Sequence, residues 1–355
     1  MKNSTWYKGL TALAVCTFLA PTLGSAKGPV PQGYSPFPDL IRFDFGPEGV
    51  AVDKVGNVYV SVTVSSGSDQ IWKIAPSGEK SVLADLGAPG YAGGLAVDAV
   101  GNVYMARLVV PGHGVYRVDP SGNAVLLPGT EQIVGADALT FDPRGTLYVT
   151  EIFSGVFTGD PSTSVFDQGG IWRVPRRGPA ELWLRDDLLT GLPPFLFPFP
   201  VGANGIGFYR SALYVINTDK ALVVRVPVRR DGSPGQPELW KQVEDVPESL
   251  LYGSPLPVML DGLALDVHGN VYIAVPSRGA IIRINADDRS QETVAVYPDA
   301  PLDAPLSLAF GTGKGERESI FVTNSGMSVL FVPGLPWPGP GLVKIEVGIP
   351  GLPLP

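Results

Sequence analysis

An internal repeat constrains this chain more than any other feature of its sequence. The stretch GPEGVAVDKVGNVYVSV (46–62) matches YAGGLAVDAVGNVYMAR (91–107) almost position for position. GADALTFDPRGTLYVTE (135–151), GANGIGFYRSALYVINT (202–218) and LDGLALDVHGNVYIAVP (260–276) repeat it, and PLSLAFGTGKGERESIFVTN (305–324) is a stretched sixth copy. A second pattern follows each copy: IWKIAPSG at 71, VYRVDPSG at 115, IWRVPRRG at 171, VVRVPVRRDG at 223, IIRINADD at 281 and LVKIEVG at 342. Alternating apolar and polar residues closed by Pro, Ser and Gly read as strand, then turn. Each unit is therefore strand A, turn, strand B, loop, strand C, turn, strand D. Six such four-stranded blades predict an all-β, six-bladed propeller. The 44 Gly and 36 Pro suit many short strands joined by tight turns.

The sixth copy stops at its strand C, while LIRFDF (40–45) precedes the first strand A and has the pattern of a strand D. Pairing the two predicts closure of the ring by its N- and C-terminal strands, with no edge left open. The propeller then spans 38–347, after a linker at 27–37 and before a tail at 348–355. Residues 1–26 carry Lys2 and Lys8, an apolar run from Leu10 to Leu19, and then Gly24, Ser25 and Ala26. That order predicts a signal peptide cut after Ala26 and an exported protein, periplasmic or secreted.

The only cysteine, Cys16, falls inside this leader. The mature chain would have no disulfide, thiolate nucleophile or Cys-based zinc site. Loss of the leader leaves 24 basic against 34 acidic side chains, a balance without electrostatic attraction for nucleic acid or anionic lipid. The pairs Arg176-Arg177 and Arg229-Arg230 read as turn residues. No later segment reaches the roughly 18–20 apolar residues of a membrane span.

Two columns of polar residues run through the repeat. Asp53, Asp98, Asp142 and Asp266 end strand A before the turn, where an Asp accepts backbone N–H bonds, and they read as structural. Five residues earlier stand Glu48, Gly93, Asp137, Asn204, Asp261 and Leu306. A column that only packed would be small or apolar. This one places three carboxylates and one amide oxygen at the start of strand A, where all blades converge on the central channel. Carboxylates gathered that closely repel unless a cation neutralises them. Oxygen donors without His or Cys point to a hard divalent metal, calcium before magnesium; the alternative is that each carboxylate caps a loop independently.

The segments PEGVAVD, ADALTFD, ANGIGF and LDGLALD resemble those of the gluconolactonase and senescence-marker-protein (regucalcin-like) propellers, over residues of about 38 to 347. In that family a Glu of the first blade, an Asn of the fourth and an Asp of the fifth bind a divalent metal, which implies Glu48, Asn204 and Asp261 here. A third-blade position that is commonly Asn in the family holds Asp137 and makes this site more negative. The resemblance implies a metal-dependent hydrolase of a lactone or related ester, acting on a small-molecule substrate.

In such a reaction Asp261, or failing it Asp137, takes the proton of the attacking water. His113, in a loop expected on the metal face, is a further candidate at the substrate. His268 falls in a turn on the opposite face. No Gly-x-Ser-x-Gly elbow occurs. Four long connections on the metal face (151–170, 188–202, 247–260 and 331–341) are rich in Phe, Leu, Trp and Pro, including Phe195, Phe197, Phe199 and Trp337. They are expected to roof the channel and favour a hydrophobic or aromatic substrate, or else to pack on one another. Two other classes remain open at this point: a non-hydrolytic lyase, cyclase or synthase on the same scaffold, and a non-catalytic binding propeller of the NHL type.

Overall fold

The computed structural model describes residues 41–354, except 45, 88–89, 109–111, 157–163 and 195. The expected leader and linker lie outside the described residues. The chain forms six antiparallel four-stranded sheets, paired in the order the repeat dictates. Blade one comprises Pro47–Val52, Val58–Thr63, Asp69–Ile74 and Lys80–Asp85, and blade four Ala203–Tyr209, Ala212–Asn217, Leu222–Pro227 and Glu238–Gln242. In blade six, Pro305–Phe310, Ser319–Asn324 and Gly341–Glu346 are joined at the outer edge by Ile41–Arg42, with Ile41 opposite Leu342 and Arg42 opposite Gly341. A small hairpin, Ser154–Val156 with Val165–Asp167, rises from the long loop of blade three.

The first strands of the six blades touch one another in a closed ring, the sixth back against the first. Apolar side chains fill the wedges between neighbours. Val50, Val60 and Ile74 of blade one meet Phe321 and Leu342 of blade six, and Val223 and Trp240 of blade four meet Ile273 and Ile282 of blade five. Burial of these faces is what chiefly holds blades side by side, because backbone hydrogen bonds run mainly within each sheet and cross between blades at isolated points, as from Gly262 N to Leu306 O at 2.7 Å. A hydroxyl adds a polar seal between the last blade and the first: Thr323 Oγ1 donates to Glu48 O at 2.7 Å.

The turns explain why the repeat is so legible. Asp53 Oδ1 accepts from Val55 N and Asn57 N, and its Oδ2 accepts from Asn57 Nδ2 and Tyr59 Oη. Asp98 and Asp266 make the same set with their own Asn and Tyr. Each turn thus consumes one carboxylate, and this column holds no chemistry. Among the described residues no helix is long and apolar enough to cross a membrane.

Candidate active site

Strand A carries a register shift at the column that the sequence singled out. Pairing with strand B skips from Pro47 to Val50, Ala92 to Leu95, Ala136 to Leu139, Ala203 to Ile206 and Pro305 to Leu308. A bulge re-aims the unpaired residue, and here it turns Glu48, Asp137 and Asn204 towards the axis. The next residue is small in every blade: Gly49, Gly94, Ala138, Gly205, Gly262 and Ser307. The reason is contact between neighbouring first strands. A Cβ on Gly205 would stand 2.4 Å from Asp261 O, and one on Gly262 2.7 Å from Leu306 O. Strand B hydroxyls satisfy the bulged backbone, as where Ser61 Oγ accepts from Gly49 N at 2.7 Å and donates to Gly93 O at 2.7 Å.

These devices bring Glu48, Asp137, Asn204, Asp261 and Leu306 to one cavity of about 80 Å³ on the axis. Asp137 and Asn204 are buried, whereas Glu48 and Asp261 are half-buried. Asn204 Nδ2 donates to Thr218 Oγ1 at 3.1 Å, which leaves Oδ1 as the free acceptor. The remaining wall is apolar and includes Tyr91, Leu108, Ile152, Met259 and Met327.

No Lys, Arg or His is among the described residues that line the cavity. Burial lifts Asp137 to about 7. Burial also raises Asp261 well above the ordinary range, with the charge of Asp137 adding to it, and Glu48 is pushed well up by burial and by repulsion from Asp261 and Asp137. The three carboxyl groups thus disfavour one another's charge, and each pKa lies above the ordinary carboxylate range. Among the described residues, no three His, Cys, Asp or Glu side chains form a ready-made metal cage. The donor chemistry nonetheless fits a hard divalent cation: three carboxyl groups with no counter-charge and one oriented amide oxygen face the same space.

Phe197 and Phe199 form one side of the cavity's wall from the connection between blades three and four. Their rings stack with centroids 5.9 Å apart, and Phe199 lies 5.2 Å from Phe153. Leu108, Ile152, Phe153 and Val201 form the buried base of this cluster.

Residues 201–326, the span carrying Asn204, Thr218 and Asp261, match the family model described as the SMP-30/gluconolactonase/LRE-like region. That span is similar to the SMP-30/gluconolactonase-like family, and the chain as a whole shares the fold of its solved members. A search of curated proteins finds no match. Among solved structures, a gluconolactonase from Xanthomonas campestris is 18% identical with a TM-score of 0.61, covering 92% of this chain and 98% of that one. Regucalcin from Agrobacterium tumefaciens, a calcium-binding protein, is 17% identical with a TM-score of 0.61, covering 91% and 97%. Luciferin-regenerating enzyme is 15% identical with a TM-score of 0.61, covering 88% and 95%. At these identities the likeness is one of fold.

The other expected residues fall elsewhere in the propeller. His113 does not line the cavity; it is half-buried beside Glu131, and burial lowers its pKa. Trp337 does not reach the cavity either: it packs on Tyr297 with centroids 4.3 Å apart, and its Nε1 donates to Val332 O. Phe195 lies outside the described residues. Sequence reasoning missed a second lining column, the residue just beyond strand B: Leu108, Ile152, Thr218 and Pro276. The repeat placed these four in register, but their mixed chemistry gave no signal. The tail also does more than its composition suggests, because Gly351 bridges Asp266 and Leu352 N donates to Leu265 O.

Proposed function

We propose that the axial cavity is the active site of a calcium-dependent hydrolase that opens a lactone or related ester with a hydrophobic or aromatic group. The observation that carries this reading is the meeting of four oxygen side chains, Glu48, Asp137, Asn204 and Asp261, beneath an apolar wall. The gluconolactonases with this fold support the reaction class, and regucalcin supports the choice of ion. Glu48, Asn204 and Asp261, with Asp137, are the residues that would hold the cation. When bound, such an ion supplies Lewis-acid polarisation of an ester carbonyl.

The chain's own residues do the rest. Thr218 fixes the Asn204 amide so that its oxygen faces the substrate space. Phe197, Phe199, Leu108 and Ile152 receive the apolar part of the substrate and keep bulk water out. Asp261 takes a proton from the attacking water, with Asp137 as the alternative base. The same apolar wall favours a second reading, a lyase or cyclase that consumes no water.

Acid release by the purified protein from a panel of lactones and aryl esters tests this, with calcium, with chelator, and with Asp261→Asn. Calcium-dependent release that the substitution abolishes supports the hydrolase. Substrate consumption without acid release would replace it with the lyase reading. We further read the chain as exported, on the order of charge, apolar run and small residues in its first 26 positions. The pairing of Ile41–Arg42 with blade six supports a ring closed by the two ends of one propeller domain.

A further inference from the structure

The roof of the cavity hangs from a single carboxylate. Asp219 Oδ2 accepts from Leu192 N at 3.0 Å and from Val201 N at 2.8 Å, so both ends of the loop 192–201 share one acceptor. Asp219 N also donates to Val201 O at 3.0 Å. This is the form of a compact Ω-type loop, with its ends drawn together. The approach is close: a Cβ on Gly191 would stand 2.8 Å from Asp219 Oδ2.

The neighbours of Asp219 complete the seat. Asn217 Nδ2 donates to Leu188 O and Thr190 O at 2.9 Å each, Thr218 N to Gly202 O at 3.2 Å, and Lys220 Nζ to Asp187 O at 2.6 Å. The same short turn presents Thr218 to the cavity, where it orients Asn204. Asp219 itself does not line the cavity. One turn therefore fixes the distance between the aromatic wall, Phe197 and Phe199, and the oxygen donors opposite.

We propose that Asp219 is the positioning residue that locks the loop 192–201 over the site and thereby sets the size of substrate the site accepts. Two amide donors that share one oxygen of the half-buried Asp219 carboxylate lose their common protein acceptor when it is removed, and water can replace it only with the loop ends drawn apart. The loop ends then part, and the aromatic wall loses its register against Asn204 and Asp261. A substrate that leans on the wall suffers, whereas one too small to touch it does not. The size preference rests on the hydrolase reading; the clamp does not.

The test compares wild-type protein with Asp219→Ala, Asp219→Asn and Phe197→Ala, all with calcium present. Hydrogen exchange of peptides spanning 192–201 reads the clamp directly. Asp219→Ala should exchange at least about tenfold faster there, while Asp219→Asn, which keeps an acceptor oxygen, and Phe197→Ala should stay near wild type. Turnover reads the consequence: Asp219→Ala and Phe197→Ala should each raise KM for phenyl acetate about tenfold, and Asp219→Ala should leave kcat/KM for γ-butyrolactone within about twofold. Unchanged exchange in Asp219→Ala overturns the clamp. Faster exchange with equal losses on both substrates overturns the size selection. If wild-type protein hydrolyses neither compound, the hydrolase reading fails alone. The clamp is then decided by exchange and by 1-naphthol affinity, which Asp219→Ala should weaken and must weaken for the proposal to stand.

Discussion

Replacing Asp137 by Asn should stabilise the metal-free protein, and by an amount that depends on pH. Burial raises the folded-state pKa of Asp137 from an ordinary 3.8 to about 7. Between those values the folded chain holds a proton that the unfolded chain has lost, so stability falls as pH rises. The loss begins near pH 4 and is complete above about pH 7. Three units at about 1.4 kcal/mol each amount to about 4 kcal/mol. Asn keeps the shape and removes the charge, and it also relieves the repulsion that raises Glu48 and Asp261. In chelator at pH 8 the variant should therefore melt about 8 °C above wild type, at roughly 2 °C per kcal/mol for a chain of this size. At pH 3.5 the two should coincide. Calorimetry from pH 3.5 to 8 follows the gap. Saturating calcium should shrink or reverse it, because binding stabilises only the protein that keeps its ligands. A gap that does not change with pH, or a variant less stable than wild type at pH 8 in chelator, would refute the buried-charge argument.

Three further outcomes follow from the same geometry. Calcium binding at pH 7 should release protons, since burial and mutual repulsion raise the pKa of Glu48 and Asp261 and coordination requires them ionised; a pH indicator in weakly buffered solution reads the release, and affinity should rise from pH 6 to 8. Gly205→Ala places a Cβ 2.4 Å from Asp261 O and 2.9 Å from Gly262 Cα, which should cost about 2 kcal/mol in urea unfolding and weaken calcium binding measured by calorimetry. Asp266→Ala removes the acceptor of His268 N, Asn270 N and Asn270 Nδ2, and should cost about 3 kcal/mol of stability while activity per folded molecule stays unchanged.

The legible part of this protein is the part that repeats. Strand pairing and turn geometry depend on residues a few positions apart, so each copy states its own blade. Asp53, Asn57 and Tyr59 carry one turn, and Asp98, Asn102 and Tyr104 carry the next. The column from Glu48 to Leu306 was equally readable, because a carboxylate recurring where only packing is needed requires a reason. Thr218 and Leu108 were not readable: they share a register, but a hydroxyl and an isobutyl group have no common chemistry.

By itself, then, the sequence determined six blades, the pairing within each, and the four oxygen side chains that share one level of the repeat. Only the tertiary structure decided where the insertions rest: His113 beside Glu131, Trp337 on Tyr297, Leu352 against Leu265, and the loop 192–201 on Asp219. The reason is physical. A blade is specified by local hydrogen bonds and an alternation of period two, whereas an insertion has no period and takes its place from whichever distant surface it can bury.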